Sequence, residues 1–235
     1  MIEISGLNKE YDVDGQTLKA VDSVSFTIDN GEMVSIIGHS GSGKTTLLSL
    51  IGGLTRPNTG SVLIDNVNIW SMDDGSLSAF RNRKISFIFQ FSSLIPTLTA
   101  FENVMLPTAF GDYTDDTAEY AKELLQIVGL KDKMNSYPSH LSGGQQRRVA
   151  IARAFINRPE IVLADEPTGD LDEETEKEII NLFRRMNEEK NITFVIVTHN
   201  KEVAARATTR KLKMSYGKLS DITDEAAEGI CPPSS

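Results

Sequence analysis

Cysteine is nearly missing from this chain. The single thiol among 235 residues is Cys231, in a stretch rich in proline and serine. No disulfide can form within the chain, a reducing compartment is expected, and Cys231 reads as a solvent-facing thiol rather than a catalytic one. An excess of basic charge is missing too. Lys and Arg total 24 against 33 Asp and Glu, a net charge of -9. That argues against nucleic acid as a partner, because a nucleic-acid binder usually shows a basic surface. No apolar run approaches the roughly 20 residues needed to cross a bilayer. The opening MIEISGLNKEY is acidic and alternating, unlike the basic and then apolar start of a secretory signal. The expectation is a soluble chain on the cytoplasmic side, serving a membrane only through a partner. Internal repeats and low-complexity segments are also lacking. What is present is ordinary for a globular protein, with 40% hydrophobic and 24% charged residues. The length suits one large domain, or a domain with a subdomain.

Turn signals and apolar patterns order the chain. VSFTI (24–28), a DNG turn and MVSIIG (33–38) predict two strands joined by a tight connection. GSVLIDNVNI (60–69) predicts another strand region, and GKTTLLSLIGGL (43–54) a helix directly after a strand. ISFIFQ (85–90) reads as a buried strand. From 91 to 157 the pattern turns helical. Thr99 and Glu102 have capping-box spacing, and Pro107 is expected to stop that short helix. Ala118, Ala121, Leu124, Leu125 and Val128 share one helical face, which Gly129 closes. A helix over 143–157, a strand IVLAD (161–165), a helix from Glu173 to Glu189, a strand ITFVIV (192–197) and a hairpin over 211–222 around Tyr216-Gly217 follow. Strands alternating with helices imply an α/β core with a mainly parallel sheet, an antiparallel β layer at the N-terminus and an inserted α-helical subdomain at 91–157. One domain is expected over 1–222, with a mobile tail over 223–235.

The chemistry begins at GHSGSGKT (38–45), which satisfies G-x-x-x-x-G-K-[ST] between a strand and a helix. Gly38, Gly41 and Gly43, with His39, Ser40 and Ser42 between them, let the backbone curl around phosphate oxygens. Lys44 brings a charge to the β- and γ-phosphates, Thr45 a hydroxyl to Mg²⁺, and Thr46 a hydroxyl near the α-phosphate. IVLAD brings Asp165 to a strand end, where ligands of such folds bind, as a Mg²⁺ partner acting through water. Glu166 follows at once and suits a base that polarises the attacking water. Gln90 ends ISFIFQ, where its amide can touch Mg²⁺ or the water. His199 ends ITFVIV and suits a γ-phosphate contact. Tyr11 is either a packed aromatic or a platform for adenine. A second anion-binding helix end stands at LSGGQ (141–145), about a hundred residues past the first glycine loop.

GHSGSGKT, Gln90, LSGGQ, IVLADE, GDLD (169–172) and His199 stand in the order found in ABC-type ATPases. From residue 2 to about 220 the chain resembles that family, and LSGGQ is its specific element. The resemblance implies a phosphate-loop NTPase core and hydrolysis of ATP with Mg²⁺ by Lys44, Gln90, Glu166 and His199. It also implies a head-to-tail homodimer. Leu141, Ser142, Gly143, Gly144 and Gln145 of each subunit would close over the ATP held by the other, with Asp172 at the same interface. Read on its own, Asp172 is the N-cap of the helix that follows.

What the ATPase drives is narrowed by size. The gap before LSGGQ is too short for the long coiled coil of chromosome and repair ATPases, one cassette is too few for translation-type members, and a fused exporter would carry membrane helices. A separate transport ATPase beneath an integral membrane permease remains, peripheral to the membrane through that partner. In the family the segment that Gln90 opens, 90–110, receives a short helix of the permease. LADEPTGDLD and FQFSSLIPTLTAFENV resemble most the lipoprotein-release, macrolide-export and cell-division group. The alternatives are an importer ATPase for amino acids or other small solutes, and a soluble ATP-dependent regulator without transport.

Overall fold

The computed structural model describes residues 1–111, 116–169 and 171–223. The expected mobile tail, apart from Thr223, and Cys231 within it lie outside these residues, as does Asp170 of GDLD. The chain divides into two compact units, one of residues 1–70 with 195–235 and one of residues 71–194.

The first unit opens with strands β1 (Ile2–Val13) and β2 (Gln16–Ile28), an antiparallel hairpin whose register slips at several points. Strand β4 (Thr59–Ile64) lies along the other edge of β1 and turns into β5 (Val67–Asn68) through Asp65 and Asn66. Both turn residues have positive φ, 51° and 64°, the geometry of the tight two-residue hairpin. The 60–69 stretch is therefore two strands. VSFTI is the end of β2, and β2 pairs with β1. The next strand, β3 (Met33–Ile37), pairs in parallel with β9 (Arg210–Ser215) instead. A tight connection between β2 and β3 thus joins two different sheets. The alternation of β2 fits a strand with one covered face, whereas β3 is buried at every residue. After β3 comes α1 (Lys44–Ile51). This unit also contains α7 (Lys201–Ala207), capped by the Asn200 side chain, and β10 (Lys218–Asp221), which forms the expected hairpin with β9.

In the second unit α2 (Asp74–Lys84) leads into β6 (Ile85–Ile88), which runs parallel to β7 (Ile161–Asp165). The strand expected over ISFIFQ stops at Ile88, leaving Phe89 and Gln90 beyond it. The capping box of α3 (Ala100–Met105) is present. The Thr99 hydroxyl accepts from the Glu102 amide at 3.2 Å, and the Glu102 carboxylate accepts from the Thr99 amide at 2.8 Å. The Thr99 amide, with the Thr99 hydroxyl that also donates to this carboxylate at 2.8 Å, holds the Glu102 carboxyl below its ordinary pKa. The α-helix stops at Met105, just ahead of Pro107, as expected. Pro107 sits at the start of a 3₁₀ turn, Leu106–Phe110, where its missing N–H costs nothing. Helix α4 (Thr117–Ile127) buries Ala121, Leu124 and Leu125, and Gly129 follows with φ 72°. Helices α5 (Gly143–Phe155) and α6 (Glu173–Lys190) follow, and strand β8 (Thr193–Thr198) begins in this unit.

Among the described residues no helix is long and apolar enough to cross a membrane. The core of the second unit is anchored by Phe155, Phe183 and Phe194, with the last two rings stacked at 5.2 Å between centroids. Phe183 is fully buried. Phe183→Ala should remove about 3–5 kcal/mol of stability, because a large cavity opens where no side chain can refill it. The denaturant midpoint of the purified chain measures this.

Candidate functional site

The glycine loop of the first unit is shaped by what surrounds it. Gly43 has φ 104°, and a β-carbon there would come within 2.0 Å of the Ala20 carbonyl on β2. At Gly38 a β-carbon would approach the Met214 carbonyl on β9 to 2.3 Å. The loop is thus threaded between two strands where only glycine fits. The Gly217 amide, in the turn between β9 and β10, donates to the Ser42 carbonyl at 3.1 Å. Lys44 is 8% exposed, and its ammonium donates to the carbonyls of Gly38 at 2.9 Å and His39 at 3.0 Å. Its charge is folded back over the loop. The Ser42 hydroxyl is buried with no hydrogen-bond partner. An unpartnered buried hydroxyl inside a ring of glycines, next to a lysine, fits phosphate oxygens as the missing acceptors.

Around the loop, Gly41 (φ 75°), Ser40 and Thr45 are exposed and Thr46 is half-buried. His39 is exposed, and its ring lies 5.2 Å from that of Tyr216. Tyr11 is 39% exposed and carries the Lys9 ammonium over its ring at 5.2 Å. It is not a buried core aromatic. His199 is exposed just past β8.

The second unit holds the other residues. Asp165 ends β7 and is 8% exposed. Glu166 follows at φ 45°, a left-handed conformation uncommon for a residue with a side chain, and its carbonyl accepts from the Gly169 amide at 3.1 Å. Gln90 is exposed beyond β6. At LSGGQ, Leu141 is buried and Ser142 caps α5. The Ser142 hydroxyl accepts from the Gln145 amide at 3.2 Å, while the Gln145 side chain accepts from the Ser142 amide at 3.0 Å. The Gln145 amide group is engaged within its own helix end. Gly143 and Gly144 have no intrahelical partner for their N–H groups, and a β-carbon on Gly143 would meet nothing within 4 Å. Asp172 caps α6, accepting from the Thr175 amide at 2.9 Å and hydroxyl at 2.8 Å, which hold its carboxyl below its ordinary pKa. Ser142, Gly144, Gln145, Leu171 and Asp172 line one cleft of about 280 Å³.

Sequence patterning passed over Arg147. It is 4% exposed and lies on the buried stripe of α5 with Ala150, Ile151 and Ala154. An arginine at helical spacing from three apolar positions was the available signal. The pairing of Tyr216 with His39 carried none, because it joins two loops far apart in sequence.

The ABC transporter family model matches residues 21–169. A lipoprotein-releasing system ATP-binding protein LolD of Cytophaga hutchinsonii is 48% identical over 204 residues, 86% of this chain and 93% of that protein. The macrolide export ATP-binding/permease protein MacB of Rhodopirellula baltica is 42% identical over 233 residues. That match takes in 98% of this chain but only 34% of the relative, so the chain spans about a third of its length. The dimeric ATP-binding cassette MJ0796, in a post-hydrolysis state bound to ADP and Pi, superposes with a TM-score of 0.87 at 41% identity, covering 94% of this chain and 99% of that one. A family match over most of the chain, joined to relatives of this similarity, shows that the chain belongs to the ABC transporter family as an ATP-binding subunit.

Proposed function

We propose that this chain hydrolyses ATP as half of an ATP-bridged homodimer and so drives a separate membrane permease of the export or mechanical-transmission type. The observation that carries the nucleotide reading is the unpartnered Ser42 hydroxyl within the glycine ring closed by Lys44. Lys44 leaves its two loop carbonyls for the β- and γ-phosphates, and N–H groups of 39–46 other than that of Ser42, which donates to the His39 carbonyl at 3.2 Å, take the remaining phosphate oxygens. Tyr11 stacks on the adenine. Thr45, Gln90 and Asp165 would hold Mg²⁺, directly or through water, and the ion would supply neutralisation of the phosphate charge. Glu166 accepts the proton of the attacking water, and His199 steadies the γ-phosphate.

Ser142, Gly143 and Gly144 serve the ATP of the partner subunit. Their support is the open first turn of α5 and the dimeric state named for the MJ0796 cassette. Asp172 meets the partner at the same face while capping α6. The permease docks on 90–110. Phe91 at 75% and Phe110 at 77% exposure are the most exposed large apolar groups presented there, with Ile95 at 37%. Leu98 is half-buried, a poorer contact than its sequence suggests. The names of the LolD and MacB relatives support the export type. Cytoplasmic attachment beneath the membrane follows from a permease partner.

Lys44→Ala should abolish hydrolysis and weaken ATP binding while the melting curve stays close to wild type; ATPase and nucleotide titration read this out. Glu166→Gln should bind Mg-ATP without cleaving it and elute as a dimer with Mg-ATP and as a monomer without it. Adding Gly143→Asp should abolish that dimer and leave monomer ATP affinity intact, since the new carboxylate faces open space in its own subunit and repels the partner's γ-phosphate. A double variant that still dimerises would remove LSGGQ from the partner's site. Phe91→Asp with Phe110→Asp should keep ATP affinity in the isolated subunit and lose co-purification with the permease.

A further inference from the structure

A guanidinium that is 4% exposed is costly unless its hydrogens are used. Two of the acceptors of Arg147 are main-chain oxygens. One nitrogen donates to the Phe89 carbonyl, and the other to the Glu166 carbonyl at 3.3 Å. Phe89 lies between β6 and Gln90, and Glu166 is the first residue past β7. The two strands are parallel, with Ile88 beside Ala164. One planar fork therefore spans two neighbouring strand ends. Its helix starts at Gly143, four residues earlier, at the open LSGGQ turn.

The same helix grips the next loop. Arg153 donates to the carbonyls of Ser93 and Ser92, each at 2.9 Å. Burial pushes its guanidinium below the ordinary pKa, yet an arginine so shifted remains a cation. Three carbonyls flanking Gln90 are thus tied to α5. At Glu166 the fork meets a strained backbone. Two donors, the Gly169 amide and Arg147, converge on the carbonyl of a residue held at φ 45°. Fixing that peptide fixes the direction in which the Glu166 side chain leaves the main chain.

We propose that Arg147 is a positioning residue. It sets the Glu166 carboxylate and the Gln90 amide and ties both to the LSGGQ helix end, so that a phosphate captured there is felt at the hydrolytic residues. This rests on the reading of Glu166 as the base. Lysine cannot replace it fully, because an ammonium on a single stem lacks a fork wide enough for both carbonyls.

The test uses the full chain with Mg-ATP. Arg147→Met keeps an apolar stem and removes the donors. It should lower kcat on the order of 10–100-fold, the scale of a misplaced catalytic group, while KM for ATP stays within about twofold. In the Glu166→Gln background it should leave ATP-driven dimerisation in place. Amide exchange at Gly169 and over 89–93 should quicken. Arg147→Lys should recover part of the lost kcat. The proposal is overturned if Arg147→Met or Arg147→Lys turns over at the wild-type rate. It is also overturned if kcat, ATP affinity and melting temperature fall together, since that pattern marks a merely structural arginine. Should Arg147→Met not fold, the Lys variant decides by the same criteria. Separately, wild-type hydrolysis by Glu166→Gln would remove the base reading itself, whereas a dead Glu166→Gln beside a fully active Arg147→Met would remove only the positioning role.

Discussion

No side chain fits at two glycines of the 38–45 loop, and β2, β9 and the β9–β10 turn of the first unit impose that constraint. The Ala20 carbonyl on β2 and the Met214 carbonyl on β9 leave no room for a β-carbon at Gly43 or Gly38. The hairpin turn at Gly217 adds a hydrogen bond to Ser42. A loop of glycines free in solution would lose much entropy on being ordered. Here β2, β9 and the β9–β10 turn supply the order in advance, so the curl is already formed and Lys44 already lies over it. The apolar β3, buried along its whole length, anchors the loop at its start, and α1 continues directly from its end.

The second unit solves the opposite problem. Its LSGGQ end stays open, with two glycines offering N–H groups outward and a capping box satisfying the donor that follows. Holding that end rigid falls to the rest of α5, whose buried face runs from Arg147 to Phe155 into the cluster of Phe155, Phe183 and Phe194. An open helix end is useful only if it is braced. The brace here is partly apolar packing and partly two arginines that hydrogen-bond main-chain carbonyls. A hydrogen bond to a charged donor contributes more than a neutral one, and its loss would leave a buried charge unpaired. The same bonds make the segment around Gln90 part of the helix's surroundings rather than a loose linker. Asn103 does similar service further on, holding the 95–99 turn through four bonds to Ile95, Leu98 and Thr99.

Several elements could be read directly from residue order. Strand β7 runs over the residues IVLAD, because five apolar or strand-ending residues before a proline leave few alternatives. The LSGGQ helix, the capping box at Thr99 and the cap at Asp172 were legible because capping is local chemistry within four residues. Helices α2 and α7 were not read. Each buries only a few side chains, Leu77 and Phe80 in one and Val203, Ala204 and Ala207 in the other, so periodicity is weak over so short a span. The pairing of β3 with β9 joins residues far apart in the chain, and no local signal encodes it.

For the site the division is the same. The candidates for the chemistry are legible in the sequence alone: a glycine loop with lysine, acids at a strand end and a serine-glycine helix start are motifs of contiguous residues, each with its own physical reason. How they are held was decided only by the tertiary structure. That Gly43 must be glycine because of Ala20, that Ser42 is left without a partner, that Tyr216 comes beside His39 and that Arg147 reaches from the LSGGQ helix to Phe89 and Glu166 all depend on distant segments meeting. Sequence reports bonding capacity residue by residue. Whether a donor finds its acceptor is settled only when packing brings the two within about 3 Å.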